Sequence, residues 1–109
     1  MLSDQDFKKS ADEALTALSK ALMAAGDDYG FEVDFNAGAL TVEFDEPPAK
    51  FVVSPNSPVK QIWVSALSRS FKLDWDGVEN AFVYTETGET LLQLLERVVG
   101  KQLGEDVNL

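Results

Sequence analysis

The chain contains no cysteine and no histidine, and its 109 residues carry nine basic side chains against nineteen acidic ones. Each shortage excludes something. Without cysteine there is no disulfide framework, zinc ribbon, thiol nucleophile or redox pair. Without histidine there is no Ser-His-Asp triad, no HExxH zinc site and no imidazole base near neutral pH. A metal site would have to be built from oxygen ligands, which select hard cations. The formal net charge of −10 repels phosphate backbones and anionic lipid headgroups, so basic protein surfaces and metal cations are the expected partners. No apolar run approaches the roughly 18–20 residues of a membrane span. Asp4 and Asp6 stand where a secretory or mitochondrial leader would be basic, so a soluble intracellular chain is expected.

What is present fits one domain of residues 1–109, at 45% apolar and 26% charged. Residues 4–25 place Phe7, Ala11, Ala14, Leu15, Leu18, Leu22 and Ala25 at three- and four-residue steps, an amphipathic helix. Ser3 or Asp4 supplies its start and Gly26 its stop. Lys9, Thr16 and Lys20 are assigned to the wet face, with Asp12 and Ser19 on a flank. The period then changes to two. Residues 31–36 and 40–45 alternate as a hairpin around Asn36-Ala37-Gly38, which Pro47-Pro48 ends. Further strands are expected at 50–53, stopped by Pro55 and Pro58, and at 59–66, 71–75 and 81–85, with Asp76-Gly77 as a turn. From about Glu89, Leu91, Leu92, Leu94, Leu95, Val98 and Val99 fill one arc of a second helix. Short links between strands and two one-sided helices predict an α+β, two-layer sandwich. Both helices pack on one face of an antiparallel sheet of about six strands.

Charge is unevenly placed. Residues 1–46 carry a net −8, residues 47–75 a net +3 and residues 76–109 a net −5. With the first strand beside the helix, Asp27, Asp28, Glu32 and Asp34 share one edge of the molecule. Such an edge either gathers cations or serves as a solvated face. Asp74-Trp75-Asp76-Gly77 starts like a calcium loop, but its glycine falls too early and strands flank it. Acid pairs such as Glu43 with Asp45, or Glu86 with Glu89, sit at edges and turns with no cleft implied for glycosidase-type chemistry. In the strand at 59–66, Ile62, Val64 and Ala66 face inward, which leaves Trp63 between Gln61 and Ser65 on the polar side. Trp63 is there either to anchor a protein partner or to pack on a neighbouring strand. Trp75 and Tyr84 alternate with core residues and are assigned to the core.

The run Ser57-Pro58-Val59-Lys60-Gln61-Ile62-Trp63-Val64-Ser65 resembles the frataxin signature, a proline followed by Gln-Ile-Trp and an aliphatic residue. The likeness extends through Asp6-Phe7 to Ala11-Asp12, Asn36-Ala37-Gly38 with Leu40-Thr41-Val42, Ser65 to Trp75, and Thr87-Gly88-Glu89-Thr90-Leu91-Leu92. It covers most of the chain, and the length is similar to a bacterial frataxin. The resemblance implies the same helix–sheet–helix fold and a role as iron-binding accessory protein of iron–sulfur cluster assembly. Its partners would be a cysteine desulfurase and an iron–sulfur scaffold protein. It implies Fe²⁺ or Fe³⁺, or another divalent cation, held weakly at the surface by Asp4, Asp12, Asp27, Asp28, Glu32 and Asp34. It further implies a partner-facing sheet offering Asn56, Gln61, Trp63 and Lys72. A non-enzymatic chain, monomeric without iron, is expected in the cytoplasm, or in the mitochondrial matrix for a processed eukaryotic form. The alternatives are an iron-oxidising enzyme using the same carboxylates and an acidic interaction module with no metal role. Two departures stand out. Ser19, Lys20, Met23 and Ala24 occupy helix positions where the resemblance implies acids, and Ser54 stands where eukaryotic members carry Asn. Glu43, Asp45 and Glu46 are the candidates to replace the lost charge.

Overall fold

A computed structural model describes residues 3–36, 38–45 and 48–109. The chain runs α1 (Asp4–Tyr29), β1 (Glu32–Asn36), β2 (Ala39–Asp45), β3 (Pro48–Asn56), a 3₁₀ turn (Ser57–Val59), β4 (Gln61–Ala66), β5 (Arg69–Asp76), β6 (Ala81–Tyr84), β7 (Glu89–Thr90) and α2 (Leu91–Leu103). The sheet is antiparallel, and its strands lie side by side in chain order from β1 to β7. α1 packs over β1 and β2, α2 over β6 and β7, and the helices touch each other. This is the two-layer α+β arrangement read from the sequence. The sheet has seven strands rather than about six, because Glu89 and Thr90 pair with Tyr84 and Val83 before α2 begins. Two residues are too few to leave an alternating pattern. No helix among the described residues is long and apolar enough to cross a membrane.

α1 starts where its cap dictates: the Ser3 hydroxyl accepts from the amide of Asp6 at 3.1 Å. It does not stop at Gly26. It continues to Tyr29, and Gly30, in the left-handed conformation at φ 84°, donates its N–H to the Gly26 carbonyl at 2.8 Å. Gly26 has a different purpose. A Cβ there would lie 2.6 Å from the carbonyl oxygen of Phe31, so the missing side chain lets the chain fold back tightly into β1. Phe7, Ala11, Leu15, Leu18, Leu22 and Ala25 are buried as the periodicity predicts, while Ala14 is half-buried. Ser19 is buried as well, and its hydroxyl donates to the Thr16 carbonyl at 2.8 Å, so a satisfied polar group sits under the helix.

In the sheet, Leu40, Val42, Phe44, Phe51, Val53, Ile62, Val64, Phe71, Leu73 and Phe82 form the buried face. Phe31, Phe44 and Phe51 stack in a file with ring centroids 5.2 and 4.9 Å apart, and Phe7 meets Phe82 edge-on at 5.8 Å. Burying each such side chain contributes about 1.5–3 kcal/mol. Tyr84 is buried; Trp75 is only half-buried, set edge-on against Phe82 at 5.1 Å.

The prolines act less abruptly than the sequence suggests. Pro48 opens β3 opposite Asp45, and Pro55 lies within it. β2 stops pairing at Val53, so Pro55 sits where β3 has lost one neighbour. Pro47 and Glu46 lie outside the described residues, as does Ala37 of the first turn. Val59 belongs to the 3₁₀ turn rather than to β4, and Lys60 follows it in the left-handed region at φ 53°.

At the far end, Thr90 and Gln93 form a reciprocal capping box for α2. Leu91, Leu94, Leu95, Val98 and Val99 are buried, whereas Leu92 is exposed. Arg97 donates to both carboxylate oxygens of Glu89, at 2.8 and 2.9 Å, and clamps α2 to β7. That pairing holds the Glu89 carboxyl below its ordinary range and raises the Arg97 guanidinium. Tyr84 donates its hydroxyl to Glu86, which pushes the phenol above its ordinary value. Beyond α2 the tail turns back on the domain. Val107 is buried, and the amide of Leu109 donates to Glu96 at 2.9 Å.

Candidate functional site

Two regions follow from this framework: an acidic edge and the open face of the sheet. α1 ends with Asp27 and Asp28 and has no basic residue in its last turn. The helix terminus there already carries partial negative charge, so these carboxylates add to an unfavourable field that a cation relieves. β1 follows directly as the edge strand. Its Val33 and Phe35 pack on the core, leaving Glu32 and Asp34 outward. Asp27 and Glu32 line one shallow depression with Met23, Phe31 and Val33. Glu32, Asp34 and Glu43 line the next, with Thr41 and Val33.

Register explains the second grouping, because Glu32 lies directly opposite Glu43 across the β1–β2 ladder. Like charges in that position destabilise a sheet. Lys50, opposite Glu43 on its other side, offsets part of the repulsion. The sequence presents Glu43 as half of an acid pair and as a substitute for lost charge, and the pairing brings it into the edge itself.

Asp4 and Asp12 are not brought into this group. Asp4 lies 23 residues before Asp27 on one helix, about 35 Å away at 1.5 Å per residue. Its carboxylate faces Lys60 at 3.6 Å, an ion pair in which the Asp4 side chain is 91% exposed. Asp12 is exposed on α1 between the two ends. Among the described residues, no three acids converge as a cation cage. The donors are hard carboxylates, and their arrangement is a field along an edge with no enclosed site.

The open face of the sheet is more highly organised. Ile62, Val64 and Ala66 of β4 are buried; Trp63 and Ser65 are exposed and Gln61 half-buried. Trp63 is 38% exposed, between Ser54 of β3 and Lys72 of β5. The Lys72 ammonium sits 4.9 Å from the centre of the indole ring, within cation–π range. The indole Nε1–H donates to Gln61 Oε1 at 2.9 Å, and Gln61 Nε2 donates to Asp74 Oδ1 at 3.0 Å. Asn56 is half-buried beside Gln61 in the next ladder. The four residues expected on a partner-facing sheet, Asn56, Gln61, Trp63 and Lys72, therefore occupy one patch. Asp74 joins them, a residue the sequence presents only as the start of a calcium-like loop that does not continue. What would reveal it is the β4–β5 register, which hinges on a two-residue turn, Leu67-Ser68, that carries no glycine or asparagine.

A separate groove of about 510 Å³ lies between the helices on the other side of the domain. Ala14, Ala17, Ala21, Trp75, Leu92 and Leu109 contribute to its lining. It touches neither the acidic edge nor the Trp63 patch.

The chain matches the family model of the frataxin-like domain over residues 1–105. It is 29% identical over 113 residues to mitochondrial frataxin of Arabidopsis thaliana, an alignment that takes in all of this chain. The chain spans 60% of the length of that curated relative. Its fold is similar to the solved frataxin of Psychromonas ingrahamii, with a TM-score of 0.76 and 24% identity over 98% of this chain and 97% of the other. The helix–sheet–helix order and the Gln-Ile-Trp strand thus lie within a matched domain: the chain belongs to the frataxin-like family.

Proposed function

We propose that this protein is a non-enzymatic, iron-binding accessory protein of iron–sulfur cluster assembly. In this reading it docks on a cysteine desulfurase–scaffold complex through the Trp63 patch and the acidic edge. Iron, as Fe²⁺ or Fe³⁺, is the proposed ligand of the acidic edge. Asp27, Asp28, Glu32, Asp34 and Glu43 would attract it without enclosing it, so binding is weak and exchangeable. Asp4 and Asp12 stand too far along α1 to share an ion with that group.

The observation that carries the proposal is the exposed indole of Trp63, held in place on a polar sheet face. Aromatic side chains so placed anchor protein interfaces, and a preset conformation lowers the entropy lost on docking. The net −8 of residues 1–46 suits a basic partner surface and speeds encounter with it.

The test is binding to a purified cysteine desulfurase–scaffold complex at two salt concentrations. Trp63→Ala is expected to lower affinity at least tenfold, the loss typical of a central aromatic anchor, about 1.4 kcal/mol or more. Asp27→Asn with Asp28→Asn is expected to slow association and flatten its salt dependence. Unchanged binding and cluster-assembly rate for Trp63→Ala would remove the docking reading.

A further inference from the structure

Along the open sheet face a carboxylate, a carboxamide and an indole form a chain of hydrogen bonds whose direction is set by chemistry. The indole nitrogen of Trp63 can only donate, and the ionised carboxylate of Asp74 can only accept. Gln61 stands between them with one donating end and one accepting end. Its amide nitrogen must therefore face Asp74, at 3.0 Å, and its oxygen must face the indole, at 2.9 Å. The reverse orientation would set amide N–H against indole N–H and oxygen against oxygen. Lys72 lies over the ring 4.9 Å from its centre, so the indole is restrained at its edge and on one face.

We propose that Asp74 is a positioning residue for Trp63: by accepting from Gln61 it fixes the amide orientation that holds the exposed indole in one pose. Asp74 acts through Gln61, which is paired opposite it across the β4–β5 ladder. The consequence for docking rests on the function proposed above, whereas the relay itself does not.

The relay can be broken and rebuilt with little change in side-chain size. In Asp74→Asn the charge-assisted acceptor is replaced by a neutral amide that can turn either end toward Gln61, so the bond that fixes Gln61 weakens and the indole's acceptor is held less firmly. Adding Gln61→Glu restores a single direction. The carboxylate introduced at position 61 then accepts from the indole with one oxygen and from the amide introduced at position 74 with the other. The net charge returns to its original value.

The readout is the indole Nε1–H resonance of Trp63 in ¹⁵N-labelled protein, told apart from Trp75 by Trp75→Phe. Asp74→Asn is expected to shift that resonance and speed its hydrogen exchange about three- to tenfold, the value of one weakened hydrogen bond. The double variant is expected to return both to near the original values. An Asp74→Asn resonance and exchange rate equal to those of the original chain would overturn the relay, as would a double variant that stays loose. Affinity for the desulfurase–scaffold complex is expected to follow the same fall and recovery. If the indole behaves as stated while Trp63→Ala leaves that affinity unchanged, the relay stands and the docking reading falls. If Trp63→Ala weakens binding but Asp74→Asn does not, Asp74 has no part in docking.

Discussion

Substituting Gly26 by alanine sets two physical effects against each other. Within a helix, alanine is favoured over glycine by about 1 kcal/mol, so propensity alone predicts a more stable protein. The geometry predicts the opposite. The new Cβ would lie 2.6 Å from the backbone oxygen of Phe31, and a carbonyl cannot rotate away as a flexible side chain would. Relief requires moving Phe31, which is 6% exposed and stacked on Phe44 at 5.2 Å. Overpacking of this kind costs about 2–3 kcal/mol, leaving a net loss of about 1–2 kcal/mol. For a domain of this size the melting midpoint should fall by about 5–10 °C. Urea denaturation with a matching Ala24→Gly variant separates the effects, because residue 24 is exposed on the same helix. Ala24→Gly should destabilise by about 1 kcal/mol through propensity alone. A Gly26→Ala variant as stable as the original chain, or more so, would refute the close-approach argument. The substitution should also displace Glu32 from Asp27 and alter the acidic edge.

Three further outcomes follow from features elsewhere in the domain. The Glu89 carboxyl lies below its ordinary range when folded, so its contribution is present above the unfolded value and is lost as pH falls through the folded one. Glu89→Gln should therefore cost about 0.5–1 kcal/mol at neutral pH, a figure reduced for solvent screening because the Arg97 side chain is 41% exposed. Denaturation curves from pH 7 down to about 3 should converge for the two proteins below the carboxylate range; a constant gap would refute the linkage. Removing residues 105–109 withdraws buried Val107, half-buried Leu109 and the hydrogen bond to Glu96, and should lower stability by about 2–3 kcal/mol in chemical denaturation. An unchanged midpoint would mean the tail contributes nothing. Ser68, at φ 61° in the β4–β5 turn, should accept glycine with a gain of about 0.5 kcal/mol, read as a higher melting midpoint, once the extra freedom of the unfolded chain is subtracted.

The sequence discloses what repeats and conceals what occurs once. The α1 stripe from Phe7 to Ala25 and the alternation in β4 are averages over many residues, and both appear in the structure as read. From that alternation comes the exposed side of Trp63, and so the patch it centres. Gly26 misleads because a glycine near a helix end has two uses, termination and close approach. Only the position of Phe31 distinguishes them. Ser19 reads as a flank residue when its hydroxyl is counted as needing water, whereas the Thr16 carbonyl satisfies it. Leu92 reads as part of the buried arc of α2, yet it lies exposed at the arc's margin. The acids of the proposed metal edge are legible as a composition and illegible as a constellation. Asp4 stands most of a helix length from Asp27, while Glu43, well separated from Glu32 in sequence, lies opposite it through register.

The order of the strands also bears on how the domain forms. Every ladder joins strands that are adjacent along the chain, so each closes over a short loop, and its entropic cost is met locally. The sheet can therefore grow hairpin by hairpin without any strand waiting for a distant partner. Distant segments meet elsewhere, where α1 touches α2 and where the Tyr29 hydroxyl reaches the Asp106 carbonyl, 77 residues away, at 3.5 Å. Contact between the first helix and the last segments thus closes the longest loop in the domain and carries the larger entropic cost. The fold divides its contacts into local pairings along the sheet and a few long-range closures that join the helices and the tail.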